Sequence, residues 1–330
     1  MILVIHANMI ALPRPTCSEL MSYPFSTSLR YLIESIGIVG VDIFVLISGW
    51  FLINTRAKSF LSLCFKILFI CGGIYLIMLI TGQAEFSAKH VADVLLITPR
   101  EWFVKAYFVL LVIAPVLNAF VSNSSEKQQR YLLIGFFVFS STLGWIGGAS
   151  RFFVSGYGPL LFIGLYLLAQ YAHNTIKSAD TPTQIRKLFN FDKKYDLLIF
   201  GICVAINTIT GIVGLYRGIN LYGLVYAYIN PLNVLAALYL MLFFSKLKIN
   251  TNKTINTLAA GSFAVFLIHT HIDINPWFNQ GCQHIYTSYD NICCVLFIFI
   301  FLVFVYIISV ATDIPRVWIW NKISNKYNIK

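Results

Sequence analysis

A series of long apolar runs is the feature that most constrains how this chain can fold. Ten such runs, separated by polar connections, occupy residues 1–12, 37–53, 61–80, 103–121, 131–149, 158–173, 196–214, 222–245, 257–271 and 290–312. A helix of roughly 20 mostly apolar residues crosses a hydrocarbon core about 30 Å thick. The runs lack the apolar–polar alternation of membrane strands, and lipid offers no partner to an unpaired backbone group. The pattern predicts an all-α polytopic membrane protein, a bundle of about ten transmembrane helices.

The composition supports this fold class and argues against nucleic-acid binding. Hydrophobic residues make up 58% of the 330-residue chain and charged residues 11%, whereas a soluble domain carries about 25% charged residues. The net charge of +11 is scattered over short connections, while a nucleic-acid face clusters Lys and Arg with aromatic residues. Because no internal repeat or soluble segment is visible, we expect a single domain over 1–330, multi-pass in the cell inner (plasma) membrane and surrounded by lipid.

The basic residues predict an orientation. If the N-terminus is cytoplasmic, the inside connections hold sixteen Lys and Arg residues and the outside connections hold six. Cytoplasmic loops of membrane proteins carry such an excess. An even number of helices preserves the alternation, so we expect both termini in the cytoplasm. The first run is about half a span long before Pro13. Either this helix is a half-span or residues upstream of Met1 are missing, and we favour the second.

Two ionisable residues inside apolar runs are candidates for function. Asp42 lies in the run 37–53, which also contains the small polar step Ser48-Gly49. Placing a carboxylate within lipid costs several kcal/mol, so acids there are rare and are candidates for function. His6 lies in the first run. A lone histidine is usually satisfied by a neighbouring helix and serves structure, but a buried imidazole can also take a proton from a hydroxyl.

Other polar residues have both a structural and a functional interpretation. His269 and His271 stand at i and i+2 of one helix, so we expect His269 to face the bundle and His271 the water, with no shared metal ion. Lys66 either extends to the aqueous phase or binds an anion. Arg100 and Trp102 mark a junction between a connection and a helix, where a tryptophan is common.

Four sequence motifs, in a fixed order along the chain, carry a family resemblance. They are ILVIH, ending at His6; GVDIFVLISGWFLI; REWFVKAYFVLLVIAPVLN; and PLNVLAALYLMLFF followed by INTLAAGSFAVFLIH, ending at His269. Together they resemble acyltransferase family 3, and within it the surface-polysaccharide O-acetyltransferase branch. The chain departs from the family where an arginine is expected upstream of Met1, and where Ala264-Val265-Phe266 replaces the usual Gly-x-Tyr.

The resemblance implies a membrane O-acyltransferase that moves an acetyl group from acetyl-CoA to a hydroxyl of a cell-surface polysaccharide (O-antigen, capsule or exopolysaccharide). It places the family's catalytic histidine at His6, and proton abstraction by an imidazole suits that reaction. Asp42, Ser48 and His269 are candidates for orienting or supporting it. Acetyl-CoA is the expected donor, with no bound cofactor, and the acceptor is lipid-linked or surface polysaccharide. The residues expected to bind donor or acceptor are Arg56, Lys58, Lys66, Arg100, Trp102, Tyr107, Asn118 and Arg151.

Two non-acyltransferase functions fit the hydrophobicity equally well. A polysaccharide flippase or other multi-helix transporter has a similar number of helices, but transporters often show an internal repeat and paired broken helices. The two halves of this sequence show no such repeat. A glycan polymerase would be expected to have a large outer loop, and the connections 13–36 and 81–101 are short. We therefore rank the acyltransferase first, the flippase second and the polymerase last.

Overall fold

The computed structural model describes residues 1–53, 56–95, 101–147, 153–178, 182–248, 250 and 252–327, and the regular secondary structure in these ranges is helical. The α-helices are α1 (Ile2–Ile5), α2 (Cys17–Ser22), α3 (Pro24–Gly37), α4 (Gly40–Trp50), α5 (Ala57–Ile67), α6 (Gly73–Ile80), α7 (Ala88–Val94), α8 (Trp102–Asn123), α9 (Glu126–Phe139), α10 (Pro159–Lys177), α11 (Thr183–Phe189), α12 (Lys193–Tyr216), α13 (Tyr222–Val225), α14 (Pro231–Ser245), α15 (Lys253–Thr270), α16 (Asn275–Ser288) and α17 (Asn291–Lys326). Three π-helical segments, His6–Ala11, Leu68–Gly72 and Ser140–Ile146, and a short 3₁₀ turn, Val154–Gly156, complete the set.

Several of these helices are long and apolar enough to cross a membrane. Within the described ranges, length and composition select five stretches: Pro24–Trp50, Ala57–Ile80, Trp102–Asn123, Lys193–Tyr216 and Cys293–Lys326. A sixth results if α15 and α16, which are bent by 87° at a short break, are counted together. The all-helical membrane fold is therefore confirmed. The number of ten spans and the cytoplasmic position of both termini stay predictions.

Some expected spans have other boundaries. The run 37–53 is the second half of a longer stretch that begins at Pro24, because proline suits the first turn of a helix. The run 222–245 is divided, since the side chain of Asn230 accepts the backbone N–H of Leu232 and starts a new helix there. The segment 272–289, expected to be a connection, contains α16.

The helices group into two compact units, each assembled from separate stretches of the chain. The first unit comprises Met1–Ile2, Pro15–Asn54 and Trp102–Lys248, and the second comprises Leu3–Arg14, Thr55–Glu101 and Ile249–Lys330. The boundaries interleave along the sequence, so no single cut separates the units. The expectation of one domain over 1–330 stays a prediction.

In the first unit, α4 packs against α10 and α14, and α12 packs against α3 and α14. Gly49 is needed where α4 meets α10, because a Cβ atom there would collide with the carbonyl oxygen of Tyr166. Asn207 on α12 donates a hydrogen bond of 2.7 Å to Asn233 on α14, and both are buried. Small residues and paired amides thus hold these apolar helices in register, as they do at helix interfaces in lipid.

In the second unit, α15 packs against α17, and α16 packs against α17 and the π-helical segment His6–Ala11. Gly261 permits the first contact, because a Cβ atom there would lie 2.7 Å from a methyl group of Val310. The core of this unit consists of Leu3, Ala7, Ala11, Leu12, Val265, Phe278, Cys282, Leu302 and Val310. This packing places the start of the chain beside α15.

Candidate functional site

The second unit brings two distant histidines into direct contact. His6 begins the π-helical segment His6–Ala11, and His269 lies in the last turn of α15. Nδ1 of His6 lies 2.9 Å from Nε2 of His269, and the ring centroids are 5.0 Å apart. His269 is 1% exposed. Two candidates from the sequence, 263 residues apart, therefore form one hydrogen-bonded pair.

The backbone of α15 sets the tautomers of this pair. Nδ1 of His269 contacts the carbonyl oxygen of Val265, one turn earlier. A carbonyl oxygen only accepts, so in a neutral His269 Nδ1 carries the hydrogen and Nε2 carries the lone pair. Nδ1 of His6 then donates to that lone pair. Nε2 of His6 keeps its own lone pair, makes no hydrogen bond to a described residue, and is the nitrogen that can accept a proton.

Three further hydrogen bonds fix the end of α15 that carries His269. The side-chain amide of Asn275 donates to the carbonyl oxygen of His269 at 3.0 Å. The backbone N–H of Asp273 donates to Nδ1 of His271 at 3.3 Å, so Nε2 of His271 donates to the carbonyl oxygen of Cys71 at 3.1 Å. His271 is 5% exposed. The expectation that it faces water is therefore wrong, because its ring anchors this turn.

Lys66, Asp313 and Arg316 form a buried charged cluster in the second unit. Nζ of Lys66 lies 3.1 Å from a carboxylate oxygen of Asp313 and donates to the carbonyl oxygen of Ala260 at 3.2 Å. Arg316 donates from Nε and Nη2 to the two oxygens of Asp313, at 2.8 and 2.7 Å. Two cations share one acid, so the cluster keeps one net positive charge. Lys66, 9% exposed, is held inside the unit and does not extend to the water.

Sequence reasoning missed Asp313 and misplaced Arg316. The apolar run 290–312 stops just before Asp313, and Arg316 is expected in a cytoplasmic connection, whereas both lie on the long helix α17. The available signal is their spacing, since residues at i and i+3 share a helix face. Arg56 and Lys58, at the start of α5, form no ion pair with another described residue, and Arg56 is exposed.

Ser48 and Tyr107, both expected at the site, bond to each other inside the first unit. The hydroxyl of Ser48 donates to the carbonyl oxygen of Phe44 at 3.0 Å, so it accepts from the hydroxyl of Tyr107 at 3.2 Å. The Tyr107 ring also packs edge-on against Phe44. These contacts join α8 to α4.

Asn118, expected to bind donor or acceptor, is engaged by the protein itself. Its amide nitrogen donates to the carbonyl oxygen of Ile53 at 3.1 Å. Its amide oxygen accepts from the hydroxyl of Tyr166 and from Gln170, both at 2.8 Å. The backbone N–H of Ile53 donates to the same hydroxyl of Tyr166 at 3.0 Å. This network holds the chain where it leaves α4, and it gives Asn118 a structural role.

Asp42 is enclosed in the first unit without a hydrogen-bond partner. It is 0% exposed, and neither carboxylate oxygen accepts a hydrogen bond from a described residue. The structure therefore shows no hydrogen bond from Asp42 to an imidazole, and its role in orienting His6 stays a prediction. Asp42 interacts electrostatically with Tyr228. The ring of Tyr228 lies 5.4 Å from that of Trp102, centroid to centroid.

Three further expectations concern Arg100, Arg151 and the metal site. Arg100 and Arg151 lie outside the described residues. Among the residues that are described, no group of three or more His, Cys, Asp and Glu side chains could hold a metal ion. The geometry thus offers a proton acceptor at His6, a hydrogen-bond acceptor behind it at His269, and a cationic cluster in the same unit.

Comparison with known proteins gives one match. The family model described as an acyltransferase domain, that of acyltransferase family 3, matches residues 1–313. The matched range contains both histidines of the pair and Asp313, and it covers most of the chain. No curated protein and no solved structure matches the chain significantly.

Proposed function

From the premise that the chain belongs to acyltransferase family 3, and so is a membrane acyltransferase, we propose that it moves an acetyl group from acetyl-CoA to a hydroxyl of a polysaccharide. The acceptor is a lipid-linked or surface polysaccharide, and the enzyme works in the cell inner membrane. The observation that carries the proposal is the pair His6–His269. Nδ1 of His6 lies 2.9 Å from Nε2 of His269, which leaves Nε2 of His6 to accept a proton.

The chemistry follows from that free nitrogen. Nε2 of His6 removes the proton of the acceptor hydroxyl while the hydroxyl oxygen attacks the carbonyl carbon of the thioester. The tetrahedral intermediate then collapses, the carbon–sulfur bond breaks and the thiolate leaves. The imidazolium of His6 returns its proton to the thiolate. The products are the sugar ester and free coenzyme A, and no proton is gained or lost overall.

His269 positions the base and stabilises its charged form. When His6 carries the extra proton, its Nδ1–H becomes a charged donor to Nε2 of His269, and such a hydrogen bond is stronger than a neutral one. The carbonyl oxygen of Val265 keeps His269 in the tautomer that accepts. The carboxylate of a Ser-His-Asp triad has the corresponding task of holding the tautomer and the ring orientation. His269 is neutral and so stabilises the imidazolium less than a carboxylate does.

The donor's phosphates fit the cationic residues of the second unit. Lys66 and Arg316 share only one acid, Asp313, so the cluster has one positive charge unmatched. Arg56 is the N-cap residue of α5 and Lys58 lies in its first turn, and the same helix carries Lys66. Arginine and lysine are the side chains that proteins use for phosphate groups. These residues therefore hold the donor in the proposed function.

The product of the reaction separates this proposal from the flippase alternative. The gene is deleted in the source organism and restored on a plasmid, and ester-linked acetyl groups per sugar repeat are measured by NMR of the surface polysaccharide. An acetyltransferase changes the acetyl content per repeat and leaves the amount of polysaccharide intact. A flippase changes the amount at the surface with the same acetyl content per repeat, and that result would refute the proposal.

A further inference from the structure

Asp42 is the exception among the buried acids that the structure describes. Glu34, Asp196 and Asp313 each accept at least one hydrogen bond from a neighbouring side chain. Asp42 is 0% exposed, and its two carboxyl oxygens accept no hydrogen bond from a described residue. Burying a carboxyl group without hydrogen-bond partners costs free energy, and this cost is smaller but does not vanish when the group is protonated. The groups that would offset this cost are therefore missing from the described chain, which points to a ligand that supplies donors.

A cluster of three aromatic rings accompanies this acid. The centroid of Trp102 lies 4.7 Å from that of Tyr157 and 5.4 Å from that of Tyr228, and the two tyrosine rings are 5.0 Å apart. The exposed fraction falls from 44% at Tyr157 to 5% at Tyr228. Asp42 interacts electrostatically with Tyr228, the innermost ring. The cluster therefore extends inwards from the surface of the first unit, and its most buried ring is the one that interacts with Asp42.

Two polar groups of the cluster lack acceptors, as Asp42 lacks donors. Neither the hydroxyl of Tyr228 nor Nε1 of Trp102 donates a hydrogen bond to another described residue. A ligand that satisfies all three must both donate and accept. A sugar ring does so, since each hydroxyl donates to a carboxylate and accepts from an N–H or O–H, and its apolar face packs on aromatic rings. An organic cation offers donors alone and would leave Trp102 and Tyr228 unsatisfied.

We propose that Asp42, Trp102 and Tyr228 form a binding site for a sugar ring of the acceptor polysaccharide. Identifying the ligand as the acceptor rests on the proposed function; the site itself rests on the unsatisfied groups. Two hydroxyls of the ring donate to Asp42, and the hydroxyl of Tyr228 and Nε1 of Trp102 donate to the ring. Because Asp42 is fully enclosed, binding requires side chains to part, and Tyr157 is the most exposed ring of the cluster.

Direct binding, measured without any acyl donor, tests the site. The full chain in lipid nanodiscs is titrated in a calorimeter with oligosaccharide fragments of the source organism's surface polysaccharide, freed of esters by mild alkali. Choline chloride is titrated in parallel as the cationic probe. Asp42→Asn keeps the side-chain volume and replaces one carboxyl oxygen by an NH₂ group, and Tyr228→Phe removes one hydroxyl. Asp290→Asn is the matched control, because Asp290 is exposed and makes no side-chain cap bond.

The wild-type chain and Asp290→Asn should bind the fragments equally. Asp42→Asn should weaken binding about tenfold or more, since an acceptor oxygen is replaced by an NH₂ group that only donates, and Tyr228→Phe about three- to tenfold. Absence of sugar binding by the wild type, wild-type affinity in both variants, or dependence on Asp42 for choline alone would each overturn the site. If Asp42→Asn fails to fold, Tyr228→Phe decides alone.

The binding assay also separates this inference from the proposed function. If the chain binds the fragments through Tyr228 and Asp42 but adds no acetyl group to polysaccharide, the binding site is supported and the acetyltransferase function is refuted. If the chain acetylates polysaccharide and Tyr228→Phe leaves the acceptor KM unchanged, the acetyltransferase function is supported and the binding site is refuted.

Discussion

Replacing His269 by alanine tests how the histidine pair works. The change removes the partner of Nδ1 of His6 while His6 itself stays. Before reaction that hydrogen bond joins two neutral groups and contributes about 1 kcal/mol; once His6 holds the proton it contributes about 2–3 kcal/mol. The difference, about 1–2 kcal/mol, is stabilisation felt only when charge develops. It predicts a kcat about 5- to 30-fold lower.

Initial rates of transfer from labelled acetyl-CoA, measured over a range of donor concentrations, supply the test. His269→Ala should lower kcat and leave the donor KM within about twofold, because His269 does not bind the donor. His269→Gln, whose amide oxygen can accept from Nδ1, should retain more activity. Adding His269→Ala to His6→Ala should cost nothing further, since the two act as one unit. Wild-type kcat in His269→Ala, or an equal extra loss in the double variant, would show that His269 does not act through His6.

Two predictions concern the packing of the units, and thermal unfolding of the purified full chain in detergent checks both. Asp313→Ala leaves Lys66 and Arg316 buried without their counter-charge and should lower the free energy of unfolding by about 3–5 kcal/mol; wild-type unfolding would contradict this. Gly49→Ala pushes a methyl group into the backbone of α10 and should lower the unfolding temperature by several degrees, whereas Gly201→Ala, which meets nothing within 4 Å, should not. Equal effects of the two alanines would disprove the packing account.

The fold class could be predicted because it depends on local properties. Apolar runs and scarce charge require helices in lipid wherever the backbone has no other partner. The boundaries could not, because caps and packing decide them. Pro24 extends the second expected span backwards, and the side chain of Asn230 interrupts the run 222–245.

The sequence singled out His6 and His269, but it could not show that the two rings are in contact. Family motifs end at His6 and His269, yet only the packing of α15 and α16 around the start of the chain shows that the rings meet. Asn118 belongs to a motif that suggested binding, and the folded chain uses its amide to hold Ile53. Asp313 escaped notice because its partners come from another helix and from one turn further along its own.

The role of His6 as the base of an acyl transfer is tested by comparing three membrane preparations. Membranes containing the wild type, His6→Ala or His284→Ala are supplied with labelled acetyl-CoA, and label that becomes ester-linked to polysaccharide is counted. His284 is an exposed histidine on α16 and serves as the matched control. Loss of a general base lowers the rate about 10²- to 10⁴-fold, so label should vanish in His6→Ala and persist in His284→Ala. Full incorporation by a folded His6→Ala protein would show that His6 is not the base.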